Sequence, residues 1–261
     1  MRSTVIRRTA LAVSVASCAF VVTACGGGAD TKDGASASKP AAKALTAAEL
    51  NKRVVTQGDV KDHDIKKPGK KDAFAPGSVS VAKAACDPVG QVLSALPPTE
   101  SVASVQRLVV HESAAAKKGM PSMKELADLT EDEAEQATID SLDITKTMTS
   151  LWSYDGDDAA QALATLRDAG KKCAGGFTMT TDGEKQQVTK VTQEKLSAGD
   201  DAVAWTVGTK AAGTTADTKV VVLRVGNTLA GFSSFNIAAV TRGEAFDQPT
   251  AVIEKQVTKL R

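Results

Sequence analysis

TKVVVLRVGNTLAGFSSFN, Thr218 to Asn236, holds two apolar runs rich in Val, Leu and Phe separated by Gly226-Asn227. A Gly-Asn pair between β-prone runs is a two-residue hairpin signal, so consecutive antiparallel strands are expected here. Side chains alternate along a strand, which puts Phe232 and Phe235 on opposite faces. Outward from the hairpin, FTMTT (177–181), QQVTKVTQEKL (186–196) and AVAWTVGTK (202–210) have the same strand-like character. In the last of these Val203, Trp205 and Val207 share one face. Ala202, Ala204 and Thr206 share the other, whose small residues leave room for a helix or a ligand.

Helical spacing flanks this strand-rich third. LTAAEL opens a helix at Leu45, with Thr46 and Glu49 as a capping box and Leu45 stapled onto Leu50. Asp87-Pro88 starts a second helix, carrying Val89, Val92, Leu93 and Leu96, which Pro97-Pro98 ends. SVQRLVVHES (104–113) is β-prone. In the charged segment that follows, Ser122/Glu125 and Thr130/Glu133 are both capping-box spacings, so short surface helices are expected there. Residues 139–154 are Thr-rich and extended in character. From Asp157, DDAAQALATLRDAGKKC sets Ala159, Leu163, Leu166 and Cys173 on one stripe. A last helix over 248–260 turns Val252, Ile253, Val257 and Leu260 inward. Strands gathered late, with helices at the start, middle and end, predict one α+β domain over 45–261, an antiparallel β-sheet with helices packed on one face.

The amino terminus concerns location. Arg2, Arg7 and Arg8 precede an uncharged Ala/Val-rich run from Thr9 to Ala24, the n- and h-regions of an export signal. The run falls short of the roughly 20 apolar residues of a spanning helix. Val22-Thr23-Ala24-Cys25 resembles the lipobox of bacterial lipoproteins, in which the cysteine takes a diacylglyceryl group and becomes the first residue after cleavage. The resemblance implies a cleaved signal over 1–24, Cys25 as the lipid attachment site, and the outer face of the cytoplasmic membrane as the location. A plain secretory signal would make Cys25 a chance cysteine. Arg7-Arg8 leaves Sec and twin-arginine export both open. Residues 25–44 are small, polar and without periodicity, a tether with an r.m.s. reach of about 25 Å.

Of the four cysteines, Cys18 leaves with the signal and Cys25 carries lipid, so Cys86 and Cys173 are expected to form one disulfide. A redox or metal pair has no Cys-x-x-Cys to support it, and His63 and His111 lie far from either cysteine in sequence. Without the signal arginines the formal charge falls from +1 to about −2, which excludes the basic excess that nucleic acid requires.

The pattern of Cys86 before a helix, a strand ending Leu151-Trp152-Ser153-Tyr154, a helix running into Cys173, Gly199-Asp200-Asp201-Ala202 ahead of a strand and Val222 to Asn227 at a hairpin resembles the PknH-like extracellular sensor domain. That family occurs as the outer part of mycobacterial receptor kinases and as free-standing lipoproteins. The resemblance implies a curved antiparallel sheet with helices packed against it, enclosing a cleft for a ligand, and brings no catalytic residues. Its members commonly carry two disulfides, where this chain can form one.

No catalytic or metal-ligand constellation stands out. His111, Ser113 and Asp143 lack the elbow of a triad, and each histidine reads as a surface or edge residue. Asp155-Gly156-Asp157-Asp158 lacks the bidentate Glu of an EF-hand and reads as a helix cap. Trp152, Tyr154, Trp205, Phe232 and Phe235 are either core or the apolar wall of a ligand cleft. The function expected is a membrane-anchored extracytoplasmic ligand-binding or sensing module, not an enzyme. Its partners are membrane lipid through the anchor and a small-molecule or lipid ligand. No cofactor is expected beyond the acyl groups on Cys25. The alternatives are a lipid or glycolipid carrier, marked by a large dry cavity, and an envelope scaffold, marked by an exposed apolar patch.

Overall fold

A computed structural model describes residues 42–211 and 213–261. Nine strands, every neighbouring pair antiparallel, form one sheet: β1 (His63–Lys66), β3 (Ala103–Glu112), β4 (Ile144–Ser153), β9 (Thr228–Asn236), β8 (Thr214–Val225), β7 (Asp201–Ala211), β6 (Glu184–Gln193), β5 (Phe177–Thr181) and β2 (Val79–Val81), in that spatial order. The Gly226-Asn227 turn closes the β8–β9 hairpin as the sequence predicts, with Val225 opposite Thr228. Five strands from β5 to β9 thus make a meander, and β4 and β3 extend it on the far side.

Helices cover both faces, where the sequence led us to expect one. On the first face α2 (Asp87–Leu93) and α5 (Asp158–Lys172) bury Val89, Val92, Leu163 and Leu166 against Trp152, Val203, Trp205, Val207, Val220 and Val222. On the second, α1 (Ala47–Arg53) and α7 (Thr250–Leu260) bury Leu50, Val252, Ile253 and Leu260 with Leu151, Ala204, Val221, Leu223, Ala230 and Phe232. The physical reason is alternation. Val220 to Leu223 is apolar at every position, and a strand with no polar side needs a cover on each. The small-residue face of β7, Ala204 included, joins the core beneath this second cover.

Local signals set the helix starts. The capping boxes of Thr46/Glu49, Ser122/Glu125 and Thr130/Glu133 all form, opening α1, α3 (Met123–Ala127) and α4 (Glu131–Asp140). Asp157 precedes α5 without a capping bond of its own side chain, so its contribution is its charge at the positive end of the helix. A further short helix, α6 (Ile237–Arg242), follows β9 and is capped by the Asn236 side chain at Ala239 N. Cys86 and Cys173 are joined, with Cα atoms 5.7 Å apart, and tie the entrance of α2 to the exit of α5 on the first face. The two indoles there lie against backbone without side chains: a Cβ on Gly170 would sit 2.4 Å from Trp205, and one on Gly231 would sit 2.2 Å from Trp152.

The second face is held by polar contacts as well as packing. Gln256 is fully buried, accepting from Val55 N at 2.9 Å and donating to Arg53 O at 2.8 Å, which satisfies the exit of α1. Lys259 donates to Asp59 at 2.5 Å. Lys219 pairs with Glu194 at 2.5 Å, and Glu194 also accepts from Thr206 and Gln248, so the segment before α7 is bonded to β8.

Residues 42–44, at the end of the stretch read as tether, are bonded to the domain. Ala42 O accepts from Gly156 N at 2.7 Å, Lys43 O from Asn227 Nδ2 at 2.8 Å, and Ala44 N donates to Asp155 at 2.8 Å. The chain therefore joins the fold beside the Gly226-Asn227 turn. Cys25 lies outside the described residues, as do the signal and most of the tether. Among the described residues no helix is long and apolar enough to cross a membrane.

Candidate functional site

The cover on the first face stops short of the sheet. Helix α2 ends at Leu93, and Ala95 takes the left-handed backbone conformation, φ +60°, before Pro97-Pro98 leads the chain away. An alanine in that region is strained and persists where neighbours hold it. Here both Gln106 Nε2 and Ser150 Oγ donate to Ala95 O, at 2.8 and 2.9 Å, and Ser233 Oγ donates to Leu93 O at 2.8 Å. The helix exit is thereby locked to the middle of the sheet.

Beyond that point the strands run on without a helix over them, leaving a cleft of about 410 Å³. Its floor is Leu108 of β3, Lys146 and Met148 of β4, Ser233 and Phe235 of β9, Thr218 of β8, Thr209 of β7 and Gln186 of β6. One wall is the α2 exit, Leu93 to Ala95, and the other carries Lys71, Asp72 and Phe74. That second wall is a turn in which Asp72 accepts from Gly69 N at 2.8 Å. Leu108 and Met148 are buried with Ala95 in a small apolar cluster against Ala73 and Val110. Phe74 and Phe235 are 37% and 41% exposed, two phenyl rings left open to solvent on a cleft whose floor mixes Leu108, Met148 and Phe235 with the polar side chains of Lys146, Gln186, Thr209, Thr218 and Ser233. Concave, largely apolar walls with a few polar groups are what small-molecule sites have in common, and the volume is within their usual range of about 300 to 1,000 Å³.

The five aromatics named from the sequence separate. Trp152, Tyr154, Trp205 and Phe232 are core residues at 1 to 3% exposure and do not line the cleft. Phe235 does. Burial pushes the Tyr154 phenol up to about 12, against the lowering effect of its bond to Thr99 O. Phe74, Leu108 and Met148, which complete the apolar lining, carried no sequence signal, since they come from a loop and two strands that only the sheet order brings together.

A second hollow, of about 420 Å³, lies on the opposite face between β1, β3, β4 and the segment leading into α7. Both histidines line it, with Asp143, Thr147 and Asn236. Burial lowers the His111 imidazole below its ordinary range, helped by the neighbouring His63 and Lys117. Ser113 Oγ accepts from Ala116 N at 3.1 Å, and among the described residues no hydrogen bond joins it to His111.

The sequence matches no protein-family model and no curated protein. Among solved structures the chain is similar to the extracellular domain of PknH from Mycobacterium tuberculosis, at 14% identity and a TM-score of 0.51, over 84% of this chain and 97% of that one. The likeness is one of fold, and agrees with the α+β architecture and antiparallel sheet described above.

Proposed function

We propose that this protein is a lipid-anchored extracytoplasmic module that binds a small apolar or amphipathic ligand in the cleft between Phe74 and Phe235. The observation that carries the reading is an open cleft of mixed apolar and polar lining with two exposed phenyl rings, in a domain whose fold resembles the extracellular domain of PknH. Anchoring rests on the lipobox at Cys25. The two ends of the domain have separate tasks in this reading. The chain enters beside Asn227, whereas Phe235 lies eight residues further along β9, about 26 Å away at the rise of a strand. The cleft lies toward the end of the sheet remote from residues 42–44. The space between the sheet and α2 and α5 is filled by Trp152, Trp205 and their neighbours, which favours a binding module over a carrier with a large dry cavity. No catalytic step belongs to this reading.

The test is native mass spectrometry of the protein purified from its own envelope, beside a Phe74→Ala/Phe235→Ala variant. A mass retained by the natural chain and lost from the variant is the expected result. Equal retention by both would put the ligand elsewhere, and no retained mass together with no shift in melting temperature across a panel of apolar small molecules would remove the binding reading. The anchor is tested separately: Cys25→Ser should abolish incorporation of a fatty-acid analogue, and continued labelling would exclude Cys25 as the attachment site.

A further inference from the structure

The chain has two histidines, and the fold sets them side by side. His63 in the edge strand β1 is the direct cross-strand partner of His111 in β3, with ring centroids 4.8 Å apart and planes tilted by 36°. Directly opposed residues of an antiparallel pair hold their Cβ atoms about 4.5 to 5.5 Å apart, so both side chains leave the sheet on one face and in one direction. Two nitrogens bound to one zinc-like ion, each about 2.0 Å from it at a tetrahedral angle, lie about 3.3 Å apart. Imidazoles already this close reach that separation by small rotations about their side-chain bonds.

The His63 ring is also prepared electronically. Its Nδ1 lies 2.6 Å from Lys61 O, and a carbonyl can only accept, so Nδ1 carries a proton and, in the neutral ring, Nε2 holds the lone pair. A donated Nδ1–H to a backbone carbonyl is the usual second contact of a metal-bound histidine, since it sets both tautomer and ring orientation. Both rings line the hollow in front of α7. Charged groups near them include Asp143, whose Oδ1 accepts from Asn236 Nδ2 at 2.8 Å, Asp247 in the lining of the same hollow, and Asp62, which pairs with Lys117 at 3.4 Å.

We propose that His63 and His111 form a two-imidazole site for a divalent transition metal of the zinc, copper and nickel class. Imidazole donors without a carboxylate ligand select such borderline ions over magnesium and calcium. Among the described residues no third histidine, cysteine or carboxylate completes the set, so the remaining positions on the ion face the hollow and stay open to water or to a donor group of an incoming molecule. The site is on the opposite face from the Phe74–Phe235 cleft and does not depend on it.

The experiment uses the untagged full chain in detergent, because an affinity tag of histidines would mask the site. Zn2+ titrated at pH 7 should bind saturably at one ion per chain while Ca2+ does not, and His63→Gln and His111→Gln should each weaken Zn2+ binding by about tenfold or more. Substoichiometric Cu2+ should broaden both histidine Cε1–H resonances of the natural chain together, a readout that needs no variant to fold. Zn2+ binding no tighter than Ca2+ binding, binding that survives in the double variant, or Cu2+ broadening of only one histidine would each overturn the site.

Discussion

The two faces of the sheet are built from alternate residues of the same strands, yet they are stabilised differently. The first is an aromatic core, with Trp152 and Trp205 laid against Gly231 and Gly170 and a disulfide across the helices above them. The second is mostly aliphatic, with Phe232 as its aromatic member, and Gln256, Lys259–Asp59 and the Glu194–Lys219 pair supply bonds that tie α7 and its approach to the rest. A close-packed aromatic layer tolerates little change in volume. Polar contacts near a surface are more sensitive to solvent conditions. The aromatic layer ends with α2, and the cleft opens where it ends.

The largest expected effect tests the first face. Trp152→Ala should cost about 3 to 5 kcal/mol of stability, read from the denaturant midpoint. A loss below about 1 kcal/mol would mean that the aromatic layer is not the principal core. Next, replacing Cys86 and Cys173 together by Ser should cost about 2 to 5 kcal/mol, since the bridge closes a separation of 87 residues. Free alkylatable thiols at both positions in the natural protein would remove the bridge from the comparison. A smaller change in the opposite sense is Gly231→Ala, whose Cβ would press on the Trp152 indole. It should cost about 1 to 3 kcal/mol, and less in a Trp152→Phe background.

The second face is tested by pH. Burial raises the Asp59 carboxyl, but the bonds from Lys259 and Thr56 outweigh it and hold the folded value at about 2 against an ordinary 3.8. A depressed carboxylate contributes stability above its unfolded pKa and loses it as pH falls through the folded value, so the contribution should fade between about pH 4 and pH 2. Discounted for partial exposure it amounts to about 1 to 2 kcal/mol. Asp59→Asn should flatten the acid limb of the stability profile in that window, and an unchanged profile would deny the Lys259 contact its role. The smallest expected effect is at the cleft: Phe235→Ala should change stability by less than about 0.5 kcal/mol while weakening ligand retention. A loss comparable with that of Trp152→Ala would make Phe235 a core residue and close the cleft as a binding site.

Local order was legible from the residues because its causes are local. Each capping box is a contact between residues three apart, the Gly226-Asn227 turn needs only its own backbone angles, and the stripe of α5 follows from 3.6 residues per turn. The disulfide was legible for a different reason, by counting thiols in a chain whose amino terminus resembles an export signal.

What the sequence by itself determined, then, is the antiparallel α+β character, the helix starts, the pairing of the cysteines and the alternation that separates Phe232 from Phe235. Only the tertiary structure decided that both faces are covered, that Phe235 has Phe74 for a companion, and that His63 stands beside His111. Those outcomes depend on strand order, which places β1 next to β3 and β9 next to β4, and on the point where α2 stops above the sheet. Strand order is set by the summed burial of side chains distant in sequence, which no spacing rule within one segment encodes.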